Sequence, residues 1–275
     1  IQHIFKAIKG WVNEFDIDGL RLDVAYCLNH DFLRRLRSFC DSLKPDFFLL
    51  GETLHGDYNQ IMNEEMLHSV TNYECYKGLY SSFNCMNMFE INHSLLRQFG
   101  PENWTLYKGK HLLSFVDNHD VTRVASILNN ANHLPLIYTL AFGMPGIPCV
   151  YYGSEWGATG RKEDGDPALR VSFDTPIWND LTTFISKLAV AKKSSNALNY
   201  GSFSSIVLTN EQCIFLRQYN DERVLVAINA SEQPYFASFN IGTDTCTDLI
   251  SGSEIKLNNG MELPGYSSFM LRPFS

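Results

Sequence analysis

Apolar residues at positions 1, 4, 5, 8, 11, 12 and 15 recur at helical spacing, which predicts an opening amphipathic helix. "DGLRLDV" follows at once and reads as a strand. "NHDFLRRLRSFCDSLKPD" then places Phe32, Leu33, Leu36, Phe39 and Leu43 on one helical face, with a proline just past the end. The short apolar run "DFFLLGE" is a second strand. "LHSVTNYE" reads as a third strand, and the stretch from about Asn87 to Phe99 as a helix. "KHLLSFVDNHD" is a fourth strand, "VTRVASILNNANHLPLIYTLAFGM" one or two helices, and "GIPCVYYGSE" a fifth strand. "DLTTFISKLAVAKKS" is a helix with Leu181, Phe184, Ile185 and Leu188 on one side. Alternating strands and helices imply parallel strands joined by helical crossovers.

The pattern changes near residue 200. "SFSSIVLT", "CIFLRQYN", "RVLVAIN", "YFASFN" and "YSSFMLR" are short strands separated by turn residues. They predict a small antiparallel β domain over 201–275, after an α/β region over 1–200. No internal repeat or low-complexity tract interrupts either region.

Each parallel strand ends in polar residues: Arg21 and Asp23, then Glu52, then Asn118, His119 and Asp120, then Glu155. Residues i and i+2 of a strand share a face, so Arg21 and Asp23 emerge side by side from an otherwise apolar segment. An unpaired buried charge is costly, so such a pair calls for a reason. The C-terminal edge of parallel strands is where α/β active sites form. Taken singly, Asp23 or Glu52 would serve as a helix cap or ion-pair partner, and "NHD" is common loop chemistry. Together at successive strand ends they suit glycoside hydrolysis, which needs one carboxylate to attack or stabilise and another to donate a proton.

Composition narrows the alternatives. With 275 residues, 45% hydrophobic and 19% charged, the chain is that of an ordinary globular protein. Its net charge of −8 argues against a nucleic-acid partner. No apolar run is long enough for a membrane span, and the first residues lack the features of a signal peptide. The seven cysteines, at 27, 40, 75, 85, 149, 213 and 246, are scattered without paired spacing. They read as reduced thiols in a cytoplasmic protein. No His/Cys cluster has metal-ligand spacing, so neither a metal site nor a cofactor is expected.

"GLRLDVA", "GET" and "FVDNHD", in this order, resemble the second, third and fourth signature regions of the α-amylase superfamily, glycoside hydrolase family 13. "PGIPCVYYGSEWG" is similar to that family's eighth barrel strand and loop. "DGDPALR" resembles the substrate-binding loop of its maltodextrin-acting members, of the neopullulanase or cyclomaltodextrinase type. "LPGYSSFML" is similar to the last strand of its C-terminal β domain. The resemblance implies a (β/α)8 TIM barrel, represented here by about its fourth to eighth strands, followed by a small antiparallel β-sandwich. It implies a retaining enzyme that cleaves α-1,4 bonds in maltooligosaccharides, starch or cyclodextrins through a covalent glycosyl-enzyme. A 4-α-glucanotransferase and a non-catalytic relative are the alternatives.

The resemblance also assigns roles. Asp23 is the nucleophile, kept ionised by Arg21. Glu52 is the general acid and then the general base, its protonated form favoured by an apolar setting and by the charge on Asp23. Asp120 holds sugar hydroxyls in the distorted transition state. His119 hydrogen-bonds the reacting sugar, and Asp166 and Arg170 contact a neighbouring glucose. Tyr151, Tyr152 and Trp156 are candidates for stacking on sugar faces, or for packing.

Two departures stand out. Five strands cannot close an eight-stranded barrel. The expectation is therefore a piece of a longer polypeptide, or a second chain supplying the N-terminal half, with little or no activity in this segment alone. In addition, many relatives carry Lys-His at the third and fourth positions after the nucleophile, where this chain has Tyr26 and Cys27. The histidine helps to hold a structural calcium in those relatives, so calcium, possible in the parent enzyme, is not supported here. Cys27 is expected to be a buried small hydrophobe.

Overall fold

The computed structural model describes residues 1–274 and divides into two compact units. The first comprises Ile1–Glu74 and Lys110–Leu113, the second Cys75–Gly109 and Ser114–Ser275.

In the first unit, helix α1 (Gln2–Phe15) leads to strand β1 (Gly19–Leu22), helix α2 (His30–Leu43), strand β2 (Phe48–Gly51) and strand β3 (Ser69–Val70). The strands form a parallel sheet in the order β1-β2-β3, with Gly19 opposite Phe48 and Leu22 opposite Gly51. The α2 crossover lies between two parallel strands, as the alternating pattern requires. α2 begins where the Asn29 side chain accepts the Phe32 amide and buries Leu33, Leu36 and Cys40. α1 forms where its periodicity predicts, and Phe5 stacks on Phe39 of α2 with ring centroids 4.4 Å apart. Of its apolar stripe, however, only Ile8 is buried. Ile1, Ile4, Trp11 and Phe15 are exposed. Helical periodicity thus set the element but not its coverage.

The second unit holds helix α3 (Tyr73–Asn84, its first two residues in the first unit) and helix α4 (Met88–Phe99). Strand β4 (Leu113–Phe115) follows, then helices α5 (Val124–Ile127) and α6 (His133–Gly143). Strand β5 (Ile147–Cys149) pairs with β4. Helices α7 (Asp166–Leu169), α8 (Asp180–Lys193) and α9 (Asn196–Tyr200) complete this part. "LHSVTNYE" yields only the two-residue β3, because α3 starts at Tyr73. α6 is apolar all round and almost wholly buried, as an internal helix should be.

Strands β6 (Ser202–Leu208), β7 (Gln212–Tyr219), β8 (Glu222–Asn229), β9 (Tyr235–Ser238), β10 (Thr245–Asp248), β11 (Glu254–Lys256), β12 (Gly260–Leu263) and β13 (Ser267–Pro273) follow. They pair antiparallel, in a six-stranded sheet ordered β11-β10-β13-β8-β7-β6 and a two-stranded sheet of β12 and β9. Ile214, Leu225, Ala227, Ala237, Cys246, Leu263 and Leu271 form their common core. β10, β11 and β12 escaped sequence reading because "TCTD", "EIK" and "GMEL" are too short and too polar to show alternation.

Two of the buried basic side chains, Arg217 and Lys192, brace the junction of α6, α8, α9 and the β domain in this unit. Arg217 donates to the carbonyls of Gly143 (2.7 Å), Gly201 (2.9 Å) and Ser202 (3.1 Å), and Lys192 to those of Leu198 (2.9 Å) and Met144 (3.4 Å). All of these acceptors but Ser202, which opens β6, lie at the C-terminal ends of α6 and α9, where helix dipoles favour cations. Burial still dominates for Lys192, whose ammonium is pushed down from 10.5 to about 7, with nearby Arg217 adding to the shift. The folded state then binds fewer protons than the unfolded state between those values, so stability rises with pH across that window. From pH 7 to 8.5 the folded protein should gain about 1–2 kcal/mol relative to a Lys192→Met variant. Denaturant unfolding of both proteins at the two pH values checks this. A constant difference between them would disprove it.

Candidate active site

The chain leaves β1 through Asp23 and Val24, and leaves β2 through Glu52. The two ends are locked by main-chain bonds, from Glu52 N–H to Leu22 O and from Ala25 N–H to Glu52 O, each 2.9 Å. Gly51 makes this approach possible. A Cβ there would overlap the Leu67 side chain and lie 2.8 Å from Ala25 Cβ. The glycine is thus a packing requirement.

Arg21 sits between the two carboxylates. Its Nη1 donates to Asp23 Oδ1 at 2.5 Å, and its Nη2 forms an ion pair with Glu52 Oε1 at 2.9 Å. The expected Arg21–Asp23 pair is present, and the same guanidinium also holds Glu52. Asp23 is open to solvent, its side chain 74% exposed, whereas that of Glu52 is 9% exposed. Glu52 Oε2 accepts the Val24 amide at 3.0 Å. Its surroundings are therefore not the apolar setting expected of it, since two donors converge on the carboxylate. Val24 delivers its N–H from the left-handed region, at φ 47° and ψ 43°. That conformation is unusual for a β-branched residue, and strain of this kind is concentrated at functional sites.

Tyr26 lies against the His55 ring, centroids 5.0 Å apart. Cys27 is exposed at the end of a short 3-10 turn, not buried as expected, because the turn directs it away from the β1–β2 sheet. No group of three or more His, Cys, Asp or Glu side chains is placed to hold a metal among the described residues, so no step is derived through calcium.

In the second unit, the loop after β4 carries Asp117, Asn118, His119 and Asp120. Asp117 is buried and ties the loop shut. Its Oδ2 accepts the Val124 amide at 2.8 Å and the Ser154 hydroxyl at 2.7 Å. Burial pushes its carboxyl up to about 6, against the pull of these donors. The Asp120 amide donates to Asn118 Oδ1 at 2.8 Å, a turn that presents the Asp120 side chain outward. His119 Nε2 lies 3.1 Å from Asp120 Oδ2, and Arg170 Nη2 lies 3.0 Å from Asp120 Oδ1 and 3.5 Å from Asp166 Oδ2. The structure thus brings His119, Asp120, Asp166 and Arg170 into one cluster, and Arg21, Asp23 and Glu52 into another.

The aromatic candidates divide between the two readings. Tyr151 and Tyr152 pack over Arg123, at 4.6 and 5.3 Å from ring centroid to guanidinium. Their hydroxyls donate to the carbonyls of Leu169 and Val171. Trp156 meets Phe173 edge to face. Tyr152, Trp156, Arg170 and Phe173 nonetheless line an open cavity of roughly 520 Å³. Sequence reasoning missed Val24, Asp117 and Arg123. For Arg123 a signal existed, a lone cation within the otherwise apolar "VTRVASI".

Comparison with known proteins matches a family described as "Alpha amylase, catalytic domain" to residues 1–199, and one described as "Maltogenic Amylase, C-terminal domain" to residues 207–270. A cyclomaltodextrinase from Thermoanaerobacter pseudethanolicus is 26% identical over 98% of this chain and 47% of its own length. A maltogenic α-amylase from Bacillus acidopullulyticus is 29% identical over 95% of this chain and 46% of its own. The chain therefore spans about half the length of the curated relatives it matches. A crystal structure of an Anoxybacillus α-amylase superposes on all of this chain with a TM-score of 0.83 at 25% identity, covering 63% of that enzyme.

Proposed function

Because this chain belongs to the α-amylase family of glycoside hydrolases, with a C-terminal domain of the maltogenic-amylase type, we propose that it serves a retaining glycosidase acting on α-1,4 bonds of maltooligosaccharides, starch or cyclodextrins. In this reading residues 1–200 belong to the (β/α)8 barrel, with β1 to β5 as its fourth to eighth strands, and 201–275 form the β domain. The observation that carries the reading is the Arg21 fork, which holds Asp23 and Glu52 at the ends of adjacent parallel strands.

The chemistry follows from these positions. An Asp23 oxygen attacks the anomeric carbon while Glu52 gives its proton to the departing glycosidic oxygen, leaving a glycosyl ester on Asp23. Glu52, now a carboxylate, takes a proton from water. That water attacks the anomeric carbon and frees Asp23, so two inversions give net retention. Arg21 orients the Asp23 carboxylate through the hydrogen bond from its Nη1. Asp120 and His119 bind hydroxyls of the reacting sugar, and Asp166 and Arg170 a neighbouring glucose. The cytoplasmic setting is proposed from the thiol composition, in which all seven cysteines are free. No helix among the described residues is long and apolar enough to cross a membrane.

The test is to incubate the protein that carries this sequence with maltotriose and with a cyclodextrin, following products by NMR. The α-anomer should appear first. Initial release of the β-anomer, or of no sugar at all, would overturn the reading. Glucose and maltose as sole products mean hydrolysis. Products longer than maltotriose mean that a sugar hydroxyl resolves the glycosyl-enzyme, the glucanotransferase outcome.

A further inference from the structure

Arg123 is fully buried in the second unit. Its Nη1 donates to Tyr152 O at 2.8 Å and to Ser154 Oγ at 3.0 Å, and its Nη2 donates to Leu169 O at 3.0 Å. Tyr151, Tyr152 and Phe173 surround the guanidinium. Among the described residues no carboxylate bonds it directly, and Asp117 is reached through Ser154 Oγ. Burying a guanidinium among neutral acceptors is costly, and an apolar side chain of similar volume would pack there at less expense. What the guanidinium supplies is a planar fork that fixes several acceptors at once.

Those acceptors lie on separate segments. Arg123 is itself three residues beyond Asp120. Tyr152 and Ser154 belong to the turn after β5. Leu169 directly precedes Arg170, whose side chain meets Asp120. The Asp120 loop is closed independently by Asp117 and Val124, whereas the segment carrying Arg170 is held by the Arg123 guanidinium together with the Tyr151 and Tyr152 hydroxyls, which bond the carbonyls of Leu169 and Val171.

We propose that Arg123 is a positioning residue that sets Arg170 against Asp120 and so shapes the subsite for the neighbouring glucose. This rests on the proposed reading of Asp120 and Arg170 as sugar-binding groups. A main-chain bond from Arg123 N–H to Gly160 O and a bond from Lys162 N–H to the Thr122 hydroxyl oxygen also tie this loop down, so the guanidinium must be tested apart from them.

The variants are Arg123→Met, which keeps the stem and removes the fork, and Arg123→Lys, each in the full protein. In Arg123→Met, the Ala168 and Arg170 amides should exchange with deuterium about tenfold faster, while amides of β7 and β8 stay unchanged. The kcat/KM for maltotriose should fall roughly 100-fold, mostly through KM, as expected for an ångström-scale misplacement. With 4-nitrophenyl α-glucoside, which offers no neighbouring glucose, the loss should stay within about fivefold, and Arg123→Lys should recover part of the maltotriose loss. Equal losses on both substrates would mark a merely structural role, and unchanged loop exchange would remove the positioning role; either overturns the proposal. If the wild-type protein turns over neither substrate, the functional reading fails, and deuterium exchange still decides whether Arg123 orders this segment.

Discussion

Asp23→Asn should reduce turnover of maltooligosaccharides by at least about 10³-fold while leaving the unfolding midpoint nearly unchanged. The amide removes the nucleophile but keeps an oxygen for Arg21 to bond. The Asp23 side chain is 74% exposed, so the ion pair it forms contributes little to stability. Glu52→Gln should lose activity to a similar degree but behave differently in stability. One Glu52 oxygen is ion-paired with Arg21 and the other accepts the Val24 amide, on a side chain that is 9% exposed. A glutamine offers one acceptor oxygen and turns an NH2 group toward the other donor. The mismatch should cost about 1–3 kcal/mol. Initial rates and chemical denaturation of both variants check the pair. Activity within tenfold of wild type in either variant would remove that residue from the proposed chemistry. Equal stability of the two would mean that the donors at Glu52 are not held as the structure shows.

Gly51→Ala should be nearly as damaging although it changes no charged group. The new methyl would overlap Leu67 and crowd Ala25, so the β2 end must shift and carry Glu52 with it. Overpacking of this kind costs about 1–3 kcal/mol. A shift of about an ångström at a general acid would lower kcat roughly 100-fold. Gly10→Ala is the internal control. It lies in α1 with nothing within 4 Å of the added carbon, and should stabilise the protein by up to about 1 kcal/mol. Wild-type kcat in Gly51→Ala would show that the strand end tolerates the methyl and that Glu52 is not set by Gly51.

The candidate site was legible wherever it depended on local spacing. Arg21 and Asp23 are two residues apart at a strand end, and their contact follows from the period of a strand. Asp166 and Arg170 were named only through the resemblance of "DGDPALR" to a family loop, and the structure adds that they meet across one helical turn. Glu52, His119 and Asp120 were readable because each closes an apolar run. The helices α1, α2 and α8 announced themselves through apolar residues at helical spacing. α3 was obscured, because the preceding strand signal ran into it.

What the sequence by itself determined was therefore which residues stand at the strand ends and which chemistry their types permit. The tertiary structure alone decided that Arg21 also grips Glu52, that Val24 turns left-handed to give it a second donor, that Cys27 faces solvent, and that Arg123 is buried beneath the loop bearing Arg170. Periodicity reports only which neighbours along one element share a face. These features arise between segments about thirty to fifty residues apart, where burial and the need to pair every buried donor are set by what folds against them.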